Sequence, residues 1–126
     1  MNATIATRRL VLLAGLVLSG LGLAGCETTY SADIRNQTPQ PLFAEIISFD
    51  QWGNAYPMAS TRLGPGDRAG LGPVRIKKER LVTLQLDTVP NPQRPARVDM
   101  RPGVTTVEVT QQGAQTSGPL QVRELQ

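Results

Sequence analysis

Residues 105–110 read TTVEVT, an alternation that places Val107 and Val109 on one face of an extended chain. Strict alternation over six residues predicts a β-strand with one face against a core. A second run, LVTLQL at 81–86, is rich in leucine and predicts another strand. Almost no stretch of residues 34–126 offers ten residues of helical periodicity, so we expect the core to be built from strands.

Turn signals separate these runs from further extended segments. Residues 64–67 (GPGD) and 101–103 (RPG) place Pro before Gly, as a type II turn prefers, and residues 50–54 (DQWGN) suit a hairpin loop. Short strands at this spacing predict an all-β fold, a small antiparallel sandwich that resembles immunoglobulin-like domains and has about seven strands. A small barrel is the alternative. The candidate segments are 32–36, 41–49, 55–63, 68–71, 74–76, 81–88, 96–100, 105–110 and 120–125.

The N-terminal segment has the layout of a secretory signal helix. Residues 1–9 carry no acidic side chain and end in Arg8-Arg9, and residues 10–23 carry no charge. As a helix, that apolar run spans only ~21 Å, which is short of the ~30 Å hydrocarbon core of a bilayer. The pattern therefore favours a cleaved signal peptide over a stable membrane anchor.

Leu23-Ala24-Gly25-Cys26 resembles the lipobox of bacterial lipoproteins residue for residue. The resemblance implies that the Cys26 thiol receives a diacylglyceryl group and that a peptidase then cuts before Cys26. It also implies an outer-membrane location facing the periplasm, because Glu27 stands where an Asp favours inner-membrane retention in many Gram-negative lipoproteins. The alternatives are an ordinary secretory signal with an incidental Cys, or a simple N-terminal membrane helix.

These patterns divide the chain into three parts. Residues 1–25 are the predicted lipoprotein signal peptide, residues 26–33 the acylated Cys and a short tether, and residues 34–126 the sandwich domain. A tether of six to eight residues reaches at most ~20 to 28 Å when fully extended. We therefore expect the domain to lie close to the membrane.

Composition excludes several classes of function for the mature chain. Arg8 and Arg9 leave with the signal, so 11 of the 13 basic residues remain against 10 acidic residues, too even a balance for a nucleic-acid footprint. The sequence has no His, and Cys26 is its only Cys. Nucleophilic triads, zinc sites and haem ligation are thus disfavoured, and we expect no catalytic residue, metal or cofactor.

Two groups of side chains are candidates for binding a partner. Trp52 and Tyr56 flank a predicted loop tip, where they would grip a protein, a sugar or lipid headgroups, although Trp52 more commonly serves as the aromatic plug of such a core. Arg75, Lys77, Lys78 and Arg80 form the single basic cluster, which would contact anionic lipid. The simpler interpretation of the cluster is a solvated loop.

Two other features favour an ordinary structural interpretation. Asp87 and Asp99 end neighbouring predicted strands, and paired carboxylates about 5 to 10 Å apart hydrolyse glycosides. Surface carboxylates are the commoner case. Asn36-Gln37-Thr38 matches the N-glycosylation pattern, which in a bacterial chain is a chance match.

The best-supported function is a lipid-anchored, non-catalytic envelope protein that binds an envelope protein or stabilises an assembly at the membrane surface. The alternative is a small membrane-proximal hydrolase or inhibitor-type effector. Converging polar groups in a pocket would favour the enzyme, whereas an exposed apolar patch or an open sheet edge would favour the interaction module.

Overall fold

The computed structural model describes residues 27–88, 95–112 and 118–126, which form eight β-strands and no helix. The predicted signal helix falls in residues 1–25, outside the described residues. The strands are β1 (Glu27–Asn36), β2 (Leu42–Phe49), β3 (Ala55–Leu63), β4 (Arg68–Lys77), β5 (Leu81–Thr88), β6 (Ala96–Asp99), β7 (Gly103–Gln111) and β8 (Leu120–Leu125).

The strands form two four-stranded sheets, so the predicted sandwich is confirmed, with eight strands rather than about seven. Sheet 1 has the order β4-β1-β7-β8 and sheet 2 the order β3-β2-β5-β6. All pairs are antiparallel except β1 with β7, which run parallel. The expectation of a purely antiparallel fold was therefore wrong for this one pair.

The predicted segments 68–71 and 74–76 are one strand, β4. The register of β4 against β1 shifts between Tyr30 and Ala32, and the two strands stay paired on both sides of Gly72-Pro73. Gly72 has φ +95°, and a Cβ there would lie 2.9 Å from the carbonyl oxygen of Tyr30. Pro73 is tolerated because β4 is an edge strand, where a missing N–H removes no ladder hydrogen bond.

The tether predicted over residues 26–33 is wrong for residues 27–33, which form the first part of β1. Tyr30, Ala32 and Ile34 alternate with half-buried residues and point into the core. Glu27, the first described residue, already pairs with Lys77 of β4, so the sandwich includes the residue directly after Cys26. Residues 27–33 therefore belong to the sandwich domain, which was predicted to begin at residue 34.

The core lies between the inner faces of the two sheets. Val107 and Val109 are fully buried, as the alternation predicts, and Leu120 and Val122 pack against the same cluster. Burying a side chain of this size stabilises the fold by about 1.5–3 kcal/mol relative to leaving it exposed. The other large side chains buried completely are Ile34, Leu42, Ile46, Leu63, Leu84 and Leu86.

The sandwich has two ends, named here after the first and last residues of β1. At the Glu27 end lie the start of β1, the β2–β3 loop, the β4–β5 turn and the β6–β7 turn. At the Asn36 end lie the β1–β2 and β3–β4 turns. Strands of eight to ten residues separate the two ends by about 30 Å.

A buried hydrogen-bond cluster holds the Asn36 end together. The Asn36 side-chain amide donates to the carbonyl oxygens of Gln40 at 2.8 Å and Gly64 at 2.9 Å. Its Oδ1 accepts from the Thr38 backbone N–H at 3.0 Å and from the Thr38 hydroxyl at 2.7 Å. Asn36 is only 1% exposed. Its buried amide joins two turns, which accords with a chance glycosylation match.

We predict that Asn36→Ala lowers the free energy of unfolding by about 3 kcal/mol, because it leaves buried carbonyl and amide groups without partners. Chemical denaturation monitored by circular dichroism measures this loss. The matched control is Gln37→Ala, since Gln37 is the exposed neighbour in the same turn. An equal loss in both variants would show that the cluster contributes nothing specific.

Candidate functional site

The Glu27 end brings together both groups of residues that the sequence singles out for binding. Phe49, the last residue of β2, pairs with Ala55 of β3 and with Leu81 of β5. The β2–β3 loop that carries Trp52 therefore lies beside the β4–β5 turn that carries Lys78 and Arg80. These side chains are 25 or more residues apart in sequence, and only the sheet register makes them neighbours.

The β2–β3 loop is organised around the carboxylate of Asp50. Its Oδ1 accepts from the backbone N–H groups of Trp52 and Asn54, both at 2.9 Å. Its Oδ2 accepts from the Asn54 amide at 2.9 Å and from the Tyr56 hydroxyl at 3.1 Å. Desolvation acts to raise the pKa of Asp50, but the bonds from Asn54, Trp52 and Tyr56 outweigh it and lower that pKa. The carboxylate is thus ionised near neutral pH and fixes the loop.

Trp52 is presented to solvent by this loop. It is 77% exposed, so the alternative role of a core plug was wrong. The Asp50 hydrogen bonds and the positive φ of Gly53 (+82°) turn the loop beyond the last row of core residues. At this end the core is bounded instead by side chains such as Met100, which is 8% exposed.

Tyr56 and Arg80 connect the loop to the β4–β5 turn. The Arg80 guanidinium lies over the Tyr56 ring, 4.9 Å from its centre, and donates to the Ser48 hydroxyl at 3.4 Å. Arg80 is half-buried, so part of its side chain is committed to this packing. Tyr56 and Arg80 therefore hold the β2–β3 loop against the β4–β5 turn, and they are not free binding groups.

The other basic residues are fully accessible. Arg75 and Lys77 lie on β4, opposite Thr29 and Glu27, and Lys78 lies in the turn; all three basic side chains are exposed. Of the four basic side chains, only Lys78 both lies in the turn and is exposed, so the interpretation as a solvated loop fits Lys78 alone. Lys77 also lines a shallow depression of about 180 Å³ that it shares with Asp50, Gln51, Trp52, Glu79 and Arg80.

The predicted lipidation site adjoins this end in sequence. Leu23, Ala24, Gly25 and Cys26 fall outside the described residues, but Glu27 is the next residue and is exposed at the Glu27 end. The connection to Cys26 therefore leaves the sandwich beside Lys77. In the described ranges, no helix is long and apolar enough to cross a bilayer.

Asp87 and Asp99 do not form a pair. Asp99 lies opposite Thr83, so Asp87 is four residues further along β5 and about 13 Å away. That distance exceeds the range in which two carboxylates share a glycosidic bond. Across the residues the structure describes, no three acidic side chains gather in a way that could hold a metal ion.

Two exposed apolar side chains are absent from the groups that the sequence singles out. Leu81 opens β5 at the Glu27 end and is 75% exposed, and Val104, which pairs with Ser31 of β1, is 71% exposed. Leu81 reads as part of a leucine-rich strand, and only its position after the basic turn indicates that it lies at an end. Val104 lies three residues before Val107, so the alternation of β7 places it on the face opposite the buried valines.

The chain matches no model of a protein family, and a search of curated proteins found no significant relative.

Proposed function

We propose that the chain is a lipid-anchored, non-catalytic module of the bacterial cell envelope, attached through Cys26, that binds an envelope protein at the membrane surface. The observation that carries the proposal is the position of β1, in which Glu27, the residue directly after Cys26, is already paired with Lys77 of β4. In this proposal the lipobox-like sequence supplies the anchor and the sandwich supplies the rigid body that the anchor holds.

The anchor rests on acylation of a single residue. Cys26 is the only thiol of the chain, so no other residue can receive the diacylglyceryl group. Each buried CH₂ contributes ~0.8 kcal/mol, and two or more acyl chains give stable attachment where one chain is marginal. Glu27 after the modified Cys supports an outer-membrane location that faces the periplasm.

The absence of a tether limits which partners the sandwich reaches. One residue covers at most ~3.6 Å, so the Glu27 end lies at the headgroups rather than ~20 Å or more above them. A distant soluble target is disfavoured, and an integral or membrane-proximal envelope protein is favoured.

The outer face of sheet 2 offers the surface for that protein. Phe43 is 44% exposed there, and the Arg62 guanidinium lies 5.4 Å from the centre of its ring. Both side chains line a shallow depression together with Glu45, Ser60 and Thr61. An exposed aromatic paired with Arg is the composition that interface anchors favour. Because β3 is an edge strand, its free backbone groups adjoin this surface.

No observation among the described residues favours the alternative, a small hydrolase or inhibitor-type effector. The Asp87 and Asp99 carboxylates are too far apart to act on one bond. The depressions at the Glu27 end and beside Phe43 are shallow and open, whereas enzymes hold converging polar groups in an enclosed cleft.

The first test addresses the anchor. Cys26→Ser should leave an uncut precursor that carries no lipid, because the diacylglyceryl transfer and the cut depend on the thiol. Mass spectrometry of the protein purified from membranes measures both changes. A Cys26→Ser protein that still carries lipid, or is still cut between Gly25 and Cys26, would contradict the proposal.

The second test addresses the partner. A photo-activated cross-linking residue at Ser60, beside Phe43, should capture an envelope protein in living cells, and Phe43→Ser in the same chain should reduce the yield at least fivefold. The control position is Gln121, which is exposed on β8 of sheet 1.

Equal yields of the same adduct from Ser60 and Gln121 would show that the Phe43 surface is not specific. No adduct from either position would argue against a protein partner on these faces.

A further inference from the structure

We propose that the Glu27 end is a membrane-seating surface, in which Trp52 and Leu81 enter the interfacial layer while Lys77 and Lys78 contact anionic headgroups. The inference rests on the proposed anchoring at Cys26 and goes beyond it. Attachment alone would leave the sandwich free to tilt, whereas a seating surface fixes which end faces the bilayer.

The seating surface surrounds the point where the chain leads to Cys26. Glu27 and Lys77 are paired residues of neighbouring antiparallel strands, so their Cα atoms lie about 5 Å apart. Lys78 follows in the turn, and Trp52 and Lys77 line the same depression. An acyl chain on residue 26 would bring all of these side chains to the headgroup layer without any rearrangement of the fold.

Apolar exposure is concentrated at this end. Among the described residues, the three most exposed large apolar side chains are Trp52 at 77%, Leu81 at 75% and Val104 at 71%. Trp52 and Leu81 lie at the Glu27 end, in the β2–β3 loop and at the start of β5, whereas Val104 pairs with Ser31, about 13 Å along β1 from Glu27. Tryptophan is the residue most enriched where a bilayer meets water, since one part of its ring is apolar and the other donates a hydrogen bond.

The charges at this end favour a headgroup layer over a purely apolar partner. Lys77 and Lys78 are the only two lysines of the chain, and both are exposed here. The carboxylates of Glu27, Asp50 and Glu79 offset three of the four positive charges of the basic cluster, so this end keeps an excess of one positive charge. Apolar contact therefore supplies most of the binding, and the lysines supply a preference for anionic lipid.

The loop that carries Trp52 needs no ordering when it meets the bilayer. Asp50 binds the loop backbone, and the Tyr56 hydroxyl and the Arg80 guanidinium brace it from the side. A side chain that is already held in place loses little entropy on insertion.

A membrane fits this surface better than a protein partner does. With β1 starting one residue after Cys26, the gap between the Glu27 end and the headgroups is about 4 Å or less. A single β-strand with its side chains is wider than this gap, so no segment of a protein partner fits between the Glu27 end and the headgroups. The surface is thus continuous with the anchor, and the Phe43 surface of sheet 2 stays free for a protein.

Trp52 is the only tryptophan of the chain, so its emission reports on this end alone. The lipidated protein is reconstituted in vesicles of phosphatidylethanolamine and phosphatidylglycerol, with or without lipids brominated near the headgroup end of the acyl chains. We expect blue-shifted Trp52 emission that the bromines quench at least twofold. Lys77 and Lys78 should react with an amine-directed acetylating reagent about fivefold more slowly in these vesicles than in a soluble control that consists of residues 26–126 with Cys26→Ser, which contains every described strand and lacks the apolar segment.

Two charge variants distinguish a specific contribution of the two lysines from a general effect of the protein's net charge. Lys77→Glu with Lys78→Glu should reduce the quenching in anionic vesicles by half or more, whereas Arg97→Glu with Arg123→Glu should leave it unchanged. Arg97 and Arg123 are exposed on β6 and β8, away from the Glu27 end. Equal quenching of the wild type in anionic vesicles and in pure phosphatidylcholine would overturn the role of the lysines.

The failure of the seating surface differs from the failure of the anchor. A protein that carries lipid and sediments with vesicles, but whose Trp52 emission stays unquenched and solvent-like, would overturn the seating surface and leave the anchor standing. A protein that carries no lipid and stays in solution would overturn the anchor. Protection of the lysines in native envelopes but not in vesicles would identify a protein as the occupant and contradict the membrane proposal.

Discussion

The pairing of β1 on both edges is the constraint on which the rest of the molecule depends. β4 binds one edge from Glu27 to Arg35 and β7 binds the other from Tyr30 to Asn36, so the strand is held over its whole length. At Glu27–Thr29 the pairing with β4 alone holds β1, and it fixes the residue next to Cys26 to the sheet. The point where the chain enters the sandwich, and therefore the end that an acyl group on Cys26 would hold, follows from these backbone hydrogen bonds.

The two ends of the sandwich are built on different physical principles. At the Asn36 end, a buried amide satisfies the carbonyl groups of two turns, and the cost of leaving them unpaired makes the arrangement rigid. At the Glu27 end, the Asp50 carboxylate fixes a loop whose side chains stay exposed, with Trp52 at the tip. Exposed apolar groups promote association, and the two most exposed, Trp52 and Leu81, both lie at the Glu27 end, which is the basis of the proposed membrane-seating surface.

Alternation and turn residues were enough to predict the class of fold and most strands, because the face of a strand such as β7 that packs on a core must be apolar at every second residue. These patterns failed where the structure of a segment depends on the strand that it pairs with. Residues 27–33 look like a polar tether, and only their partners on β4 make Tyr30 and Ala32 inward-facing. Gly72-Pro73 looks like a break, yet an edge strand tolerates it. The sequence singled out Trp52 and the basic cluster but not Leu81, and the assembly of these residues at the Glu27 end depends on register, which no local pattern contains.

Spin labels on the lipidated protein in vesicles test most directly whether the sandwich stands on the membrane by its Glu27 end. Gln51→Cys places a label beside Trp52, and Gln37→Cys places one at the opposite end; both native side chains are exposed. With Cys26 acylated, each variant has one free thiol. We expect the Gln51 label at headgroup depth, shielded from a water-soluble relaxation agent, and the Gln37 label fully accessible about 30 Å away. Equal, full accessibility of both labels in a protein that carries lipid would contradict this orientation.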